Sequence, residues 1–332
     1  MKRVLVLANN LAQASYRVRV AALLPLLRDR EVDAVVRLRT NNPFHNHRLF
    51  ASAGGYDAVL LQRKLLDPWE ARVLRRHAKR IAYDVDDAVM FFNRPVGRVS
   101  RWRTARRFRA TARAVDHVVA GNGYLAELFR AAGTTPARPA GPAATVLPTV
   151  VDPARYAVKR HAPTAAPRMV WIGSRSTLPY VRGRLGALAA AAGRVPGLGL
   201  VTVADATVDG APFPVEHRPW AADTEAASLV AGDVGVAPTP SDPWTLGKCG
   251  FKIVQYMAAG LPVVASPVGA NSELVTDGVT GFLPDTDAEW ADAVARLAGD
   301  VDLRRRMGAA GRARVEAELC LDKVADAWAA IL

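Results

Sequence analysis

Several common enzyme signatures are missing from this sequence. It has two cysteines, Cys249 and Cys320, in 332 residues. They lie far apart, so they form neither a disulfide framework nor a metal-ligand spacing, and a reducing cytoplasm suits them. The six histidines show no H-x-x-x-H or H-E-x-x-H spacing, and His117, at the start of an apolar run, reads as structural. No G-x-S-x-G elbow occurs, so a serine triad has no support. No G-x-G-x-x-G follows the first apolar run, which disfavours a dinucleotide oxidoreductase. No apolar run reaches the roughly 18 residues that a membrane-spanning helix needs. The opening MKRVLVLANN is basic and then apolar, but Asn9 and Asn10 end the run too early for a signal peptide. It reads as a first strand.

Basic charge is what the chain has in excess, and it is unevenly placed. The formal net charge is +13. Residues 1–150 hold 26 Lys and Arg against 11 Asp and Glu, a net of +15, and residues 151–332 carry a net of −2. Eight arginines and no acid lie between Arg94 and Arg113. Trp102, Ala105, Phe108 and Ala112 recur there at helical spacing. A basic amphipathic helix follows, suited to an anionic membrane or an anionic substrate, or simply a solvated helix packed by its Trp/Phe stripe. A nucleic-acid binder would also be basic, but no zinc spacing or RNP-type aromatic motif accompanies the charge, and no nucleic acid is expected as a partner.

The length suits two domains. Candidate strands in the first half are Val4–Ala8, Ala34–Leu38, Ala58–Leu61, Arg80–Tyr83 and His117–Ala120, with a short one near Val146. Candidate helices are Ser15–Arg28, Pro68–Ala78, Arg98–Val115 and Gly123–Ala132. A Pro/Ala/Gly-rich stretch and a loose segment, His161–Pro167, form a linker. Alternation resumes with Met169–Gly173, Leu200–Ala204 and Val234–Ala237. Two βα domains with parallel sheets facing a cleft are expected, over residues 1–155 and 165–314.

Residues 248–284, KCGFKIVQYMAAGLPVVASPVGANSELVTDGVTGFLP, are the most informative. A short helix carrying Lys248 and Lys252 is expected to end at Gly260, because Pro262 forbids its continuation. Val263 and Val264 begin a buried strand. A loop at Gly269 then opens a helix near Ser272 and Glu273. Backbone amides at a helix start, with lysines close by, are what a diphosphate needs. An αβ unit of any doubly wound domain would show some of these pieces, but not the ordered set.

That set resembles the nucleotide-sugar site of the retaining GT-B glycosyltransferases known as glycosyl transferases group 1. The resemblance implies two Rossmann-like doubly wound domains and a last helix, about 315–332, packing back on the first. It also implies a nucleoside diphosphate sugar as donor, no cofactor beyond that co-substrate, and retention at the anomeric carbon. Relatives have two glutamates eight positions apart; this chain has Gly247 and Gln255. Gln255 can still bond a ribose hydroxyl, whereas Gly247 has no side chain to offer. Fixed cations, Lys252 with Lys248 or Arg175, together with backbone amides would stabilise the departing diphosphate in place of a metal. The missing glutamates keep open a nucleotide-sugar-binding protein without transferase activity.

Other site candidates follow. In WIGSRST, Gly173 and Ser174 can bring amides to a phosphate and Arg175 adds charge. Thr239 ends another strand on the same side. Asp84, Asp86 and Asp87 crowd the end of a strand, where open α/β sheets bind ligands and where like charges raise a pKa. Asp84-Val85-Asp86 also matches the short D-x-D pattern of metal-dependent transferases of the other major fold. The resemblance places Asp86 where relatives carry a catalytic His. The plainer reading has these carboxylates capping a helix and pairing with arginines. Arg17 and Arg19, in S-x-R-x-R, fall in an expected first helical turn, where cations oppose the dipole. An anionic ligand or an Asp would offset them, or they project into solvent. With Asp84 and Asp87 they form the acceptor side. An acceptor bound through Arg94–Arg113 would be anionic or membrane-associated, and the protein cytoplasmic or peripheral at the inner face of the membrane.

Overall fold

The computed structural model describes all 332 residues, Met1–Leu332. The chain forms two units, each built on a six-stranded parallel sheet. The first comprises Met1–Val150, Asp242–Cys249 and Leu321–Leu332, and the second Val151–Ser241 and Gly250–Cys320. No helix is long and apolar enough to cross a membrane.

The first unit runs β1 (Lys2–Ala8), α1 (Ala14–Arg19), α2 (Leu24–Asp29), β2 (Val32–Leu38), α3 (Pro43–Ala51), β3 (Ala58–Gln62) and α4 (Pro68–His77). It continues with β4 (Ile81–Val85), α5 (Arg98–Ala114), β5 (His117–Ala120), α6 (Gly123–Ala132) and β6 (Ala143–Val146). Its strand order is β2-β1-β3-β4-β5-β6. The central strands β3 and β4 are buried along their whole length, as expected of apolar runs covered on both faces. The order reverses between β1 and β3, so the crevice at their carboxyl ends is where such sheets take ligands.

The second unit starts with β7 (Arg168–Ile172), α7 (Leu178–Arg182), α8 (Leu185–Arg194), β8 (Gly199–Ala204), β9 (Val215–Pro219), α9 (Glu225–Leu229) and β10 (Val234–Ala237). The chain then gives α10 (Pro243–Leu246) to the first unit. It returns with α11 (Phe251–Ala258), β11 (Val263–Ala265), α12 (Ala270–Leu274), β12 (Gly281–Phe282), α13 (Asp287–Gly299) and α14 (Val301–Glu318). The order β12-β11-β10-β7-β8-β9 places the reversal between β7 and β10. The last helix, α15 (Leu321–Ile331), belongs to the first unit, where Arg30 Nε lies 2.5 Å from Asp326.

Four expectations need correction. The helix expected over Ser15–Arg28 is broken into α1, a 3-10 turn and α2, because Pro25 in the first turn of α2 cannot continue a helix from α1. The helix expected over 315–332 breaks at Leu319–Cys320, so residues 315–318 end α14 in the second unit. Lys248 precedes α11 rather than riding on it. Trp102 leaves the buried stripe of α5: Phe108 packs edge-on to Phe129 at 4.8 Å, but Trp102 is 57% exposed. The end of α11 is as expected. Leu261 N–H donates to the Tyr256 carbonyl and Gly260 N–H to that of Met257, with Gly260 at φ +70°, the left-handed close that glycine permits.

Candidate functional site

In the first unit the carboxyl edge of the sheet is a knot of ion pairs. Arg19 is 3% exposed, and its guanidinium meets the fully buried Asp84 at 2.8 Å. It also donates to the Leu147 carbonyl and to Thr149 Oγ1. The expected clash with the helix dipole does not arise. The helix α1 is so short that Arg17 and Arg19 lie in its last turn, where cations are favoured. Arg17 is half-buried. Asp84 shows no surface to a ligand, so its expected acceptor contact is replaced by anchoring Arg19.

The next two carboxylates share a cation that sequence reading missed. Arg63 Nη2 donates to Asp87 at 2.5 Å, and its Nε lies 3.5 Å from Asp86. Arg63 has φ +61°, rare outside glycine, and its backbone is clamped: its N–H donates to the Asp84 carbonyl and its carbonyl accepts from Tyr83 Oη. Such strain persists only where surroundings over-determine it, and it gathers at functional sites. Lys248 Nζ stands 3.5 Å from the other oxygen of Asp87, so this expected donor-binding lysine is engaged within the first unit. Burial and the neighbouring Asp87 push the Asp86 carboxyl up to about 7, although Arg63 pulls the other way. Cys249 donates through Sγ to the Asp86 carbonyl, and burial pushes its thiol up. Gly247 is fixed by packing. A Cβ there would come within 2.4 Å of Ala88 Cβ and 2.9 Å of Ala88 N, so the relatives' glutamate has no room. No group of three or more His, Cys, Asp or Glu is arranged to hold a metal.

In the second unit the strand ends carry hydroxyl and amide side chains. Lys252, in the first turn of α11, carries its Nζ 5.0 Å from the centre of the Trp171 ring on β7. Tyr256, one turn later, rivets α11 to the sheet reversal: its Oη accepts from Ile172 N–H and donates to the Val236 carbonyl. At the ends of β10 and β11, Thr239 N–H donates to Ser266 Oγ, and Asn271 Nδ2 bonds both Thr239 Oγ1 and the Ser266 carbonyl. Gly269, at φ +55°, opens α12, and the loop's own bonds use the amides of Val268, Asn271 and Ser272.

Two donor-side expectations are displaced here. The amides of Gly173, Ser174 and Arg175 are already taken by the Val203 carbonyl, Thr177 Oγ1 and Asp205 Oδ1. Gly173 is explained by packing, since a Cβ would come within 2.3 Å of the Trp171 ring. The Arg175 side chain remains exposed. Gln255 is 3% exposed and donates to Tyr156 Oη at 3.2 Å, so the expected ribose contact gives way to an internal bond. Asn271, which sequence reading did not name, is the polar side chain that ties this edge together. Its signal was position alone, two residues after Gly269. Arg63 had a comparable signal, a charge immediately after the buried run ending in Gln62.

Comparison with solved structures defines the class first. The fold is GT-B. Anabaena Alr3699/HepE in complex with UDP and glucose superposes with a TM-score of 0.71 over 99% of both chains, at 16% identity. A UDP-forming alpha, alpha-trehalose-phosphate synthase from Burkholderia xenovorans gives 0.68 over 100% of this chain and 98% of the other, at 13% identity. Within that fold, residues 207–300 match the family described as glycosyl transferases group 1. The chain is 39% identical over 97 residues to the D-inositol 3-phosphate glycosyltransferase of Paenarthrobacter aurescens (strain TC1), covering 28% of this chain and 22% of that protein. It is 36% identical over 106 residues to the alpha-maltose-1-phosphate synthase of Mycolicibacterium smegmatis, covering 30% and 26%. The chain thus spans between a fifth and about a quarter of the length of these curated relatives.

Proposed function

We propose that this chain is a glycosyltransferase that moves a sugar from a nucleoside diphosphate sugar to an acceptor hydroxyl, with retention and without a metal or other cofactor. The observation that carries the reading is Lys252, set by Tyr256 beside the β7–β10 reversal within the segment shared with glycosyl transferases group 1. The bond from the anomeric carbon to the diphosphate breaks and one to the acceptor oxygen forms. Charge therefore gathers on the diphosphate, where a fixed ammonium stabilises the transition state more than the ground state. Arg175, exposed and next to the β7 loop, is the second cation in this reading, in preference to Lys248, which Asp87 holds. In this reading Asp86, ionised, offsets the positive charge that develops on the sugar. Metal independence is supported by the engagement of the acidic strand end with Arg19, Arg63 and Lys248.

The acceptor is anionic or membrane-associated, and the protein works in the cytoplasm as a peripheral partner of the inner membrane face. The eight arginines of Arg94–Arg113 support this. Each basic residue near an anionic bilayer adds about 1 kcal/mol. A second reading, a nucleotide-sugar-binding protein without transfer, is favoured by Gly247 and Gln255, whose surroundings leave no acidic pair. One experiment separates the two. A thermal-shift screen identifies the nucleotide sugar, because a ligand at 100 times its Kd stabilises by about 2.7 kcal/mol. Release of nucleoside diphosphate is then followed with and without EDTA. Turnover that survives chelation supports the first reading. Binding without turnover supports the second, and turnover restored only by Mn²⁺ removes the metal-free mechanism.

A further inference from the structure

We infer that the groove between α4 and α5 of the first unit binds an anionic saccharide, the portion of the acceptor beyond the reacting hydroxyl. The choice of a saccharide rests on the transferase reading; the groove itself does not. Both helices leave the carboxyl edge of the sheet, α4 after β3 and α5 after β4 and the Asp86–Asp87 pair. Their first halves line an open groove of 680 Å³, within the range that holds small ligands. Trp69 and Arg72 line one wall, and Trp102, Arg103 and Arg106 the other.

Two features of this groove have no use inside the fold. The first is apolar: Trp69 is 40% and Trp102 57% exposed, whereas the last turns of α5 bury Ala112 and Ala114. The second is charge. Asp67 neutralises Arg107 through two bonds of 2.7 and 3.0 Å. Arg72, Arg103 and Arg106 are left without an acid, and Arg106 lies 4.6 Å over the Trp102 ring. Arg106 gains a cation–π contact with Trp102, but the like charges repel one another and the indoles remain largely in water. One kind of ligand relieves both: a ring with an apolar face for the indoles and carboxylate or phosphate groups for the guanidinium forks. A single-stranded nucleic acid offers similar chemistry, but an opening on the same sheet edge as Asp86 favours the acceptor's sugars.

Calorimetry on the full chain tests this, with a galacturonic acid hexamer as probe and maltohexaose as its neutral counterpart. The hexamer is expected to bind at least about tenfold more tightly than maltohexaose. R72Q/R103Q/R106Q should lower its affinity by about tenfold or more, and W69A/W102A by a similar factor, with nucleotide-sugar binding unchanged. W69F/W102F, which keeps the aromatic faces, should restore it. An unchanged affinity in W69A/W102A overturns the inference. So does tighter binding of a single-stranded oligothymidylate than of the hexamer, or release of the hexamer by phosphatidylglycerol vesicles. Binding is read without turnover. A protein that holds the hexamer but transfers nothing therefore sinks the transferase reading alone, and turnover on a neutral acceptor without hexamer binding sinks the groove alone.

Discussion

The carboxyl edges of the two sheets share a topology and differ in electrostatics. At the first, three carboxylates are interlocked with Arg19, Arg63 and Lys248. At the second, a lysine sits over an indole, hydroxyls and an amide tie the strand ends together, and Asp205 accepts from a backbone N–H. The first edge is neutralised from within, and its free positive charge lies away on α5. The second sets a lysine against an aromatic face at the start of a helix, a setting suited to an anionic ligand. A doubly wound sheet supplies the crevice, and the residues that end its strands decide whether it is locked or receptive.

The largest effect should come from unlocking the first edge. Arg19→Ala leaves Asp84 buried and uncompensated, and should destabilise the protein by about 3–5 kcal/mol in denaturant titration. Arg19→Met with Asp84→Leu should recover most of that. A loss below about 1 kcal/mol in the single variant would mean that the pair is not a structural lock.

Next is Asp86. Its carboxyl is raised to about 7, so its ionised form grows as pH rises through neutrality. Asp86→Asn should slow transfer by about 10²-fold or more, the scale for losing one well-placed charge, and abolish a rise in rate near pH 7. Stability carries the opposite sign. A carboxyl raised in the folded state favours folding most fully below its ordinary value near 4, and this contribution is lost as pH climbs through 7. The wild type should therefore lose stability between pH 5 and 8 relative to Asp86→Asn. Parallel stability curves would show that Asp86 titrates normally.

A smaller effect is expected on restoring the relatives' glutamate. Gly247→Glu should cost about 1–3 kcal/mol by overpacking against Ala88 and should not raise activity. A gain in kcat/KM would show that the segment can shift to admit the side chain.

The contrast between the edges also marks where sequence reading succeeded. Buried strands such as β1, β3, β4 and β8 announce themselves as apolar runs. The edge strand β9, Val-Glu-His-Arg-Pro, does not, because it is half-exposed and mostly polar. The stop of α11 was legible because glycine and proline act locally. The roles of side chains were less so, since they depend on partners remote in sequence. Arg63 meets Asp86 and Asp87 only through the pairing of β3 with β4. Gln255 meets Tyr156, and Gly247 meets Ala88, across still longer stretches of chain. The charge imbalance named α5 correctly as basic, but only the fold separates the half-buried Phe108 from the exposed Trp102.

The receptive character of the second edge is best tested by calorimetric titration of the nucleoside diphosphate sugar found in the thermal-shift screen into wild type and Lys252→Ala. Loss of a charge-assisted phosphate contact should weaken binding by about 1.5–3 kcal/mol, roughly 10- to 150-fold, with folding intact. Equal affinity in the two proteins would remove Lys252 from the donor site and, with it, the observation on which the transferase reading rests.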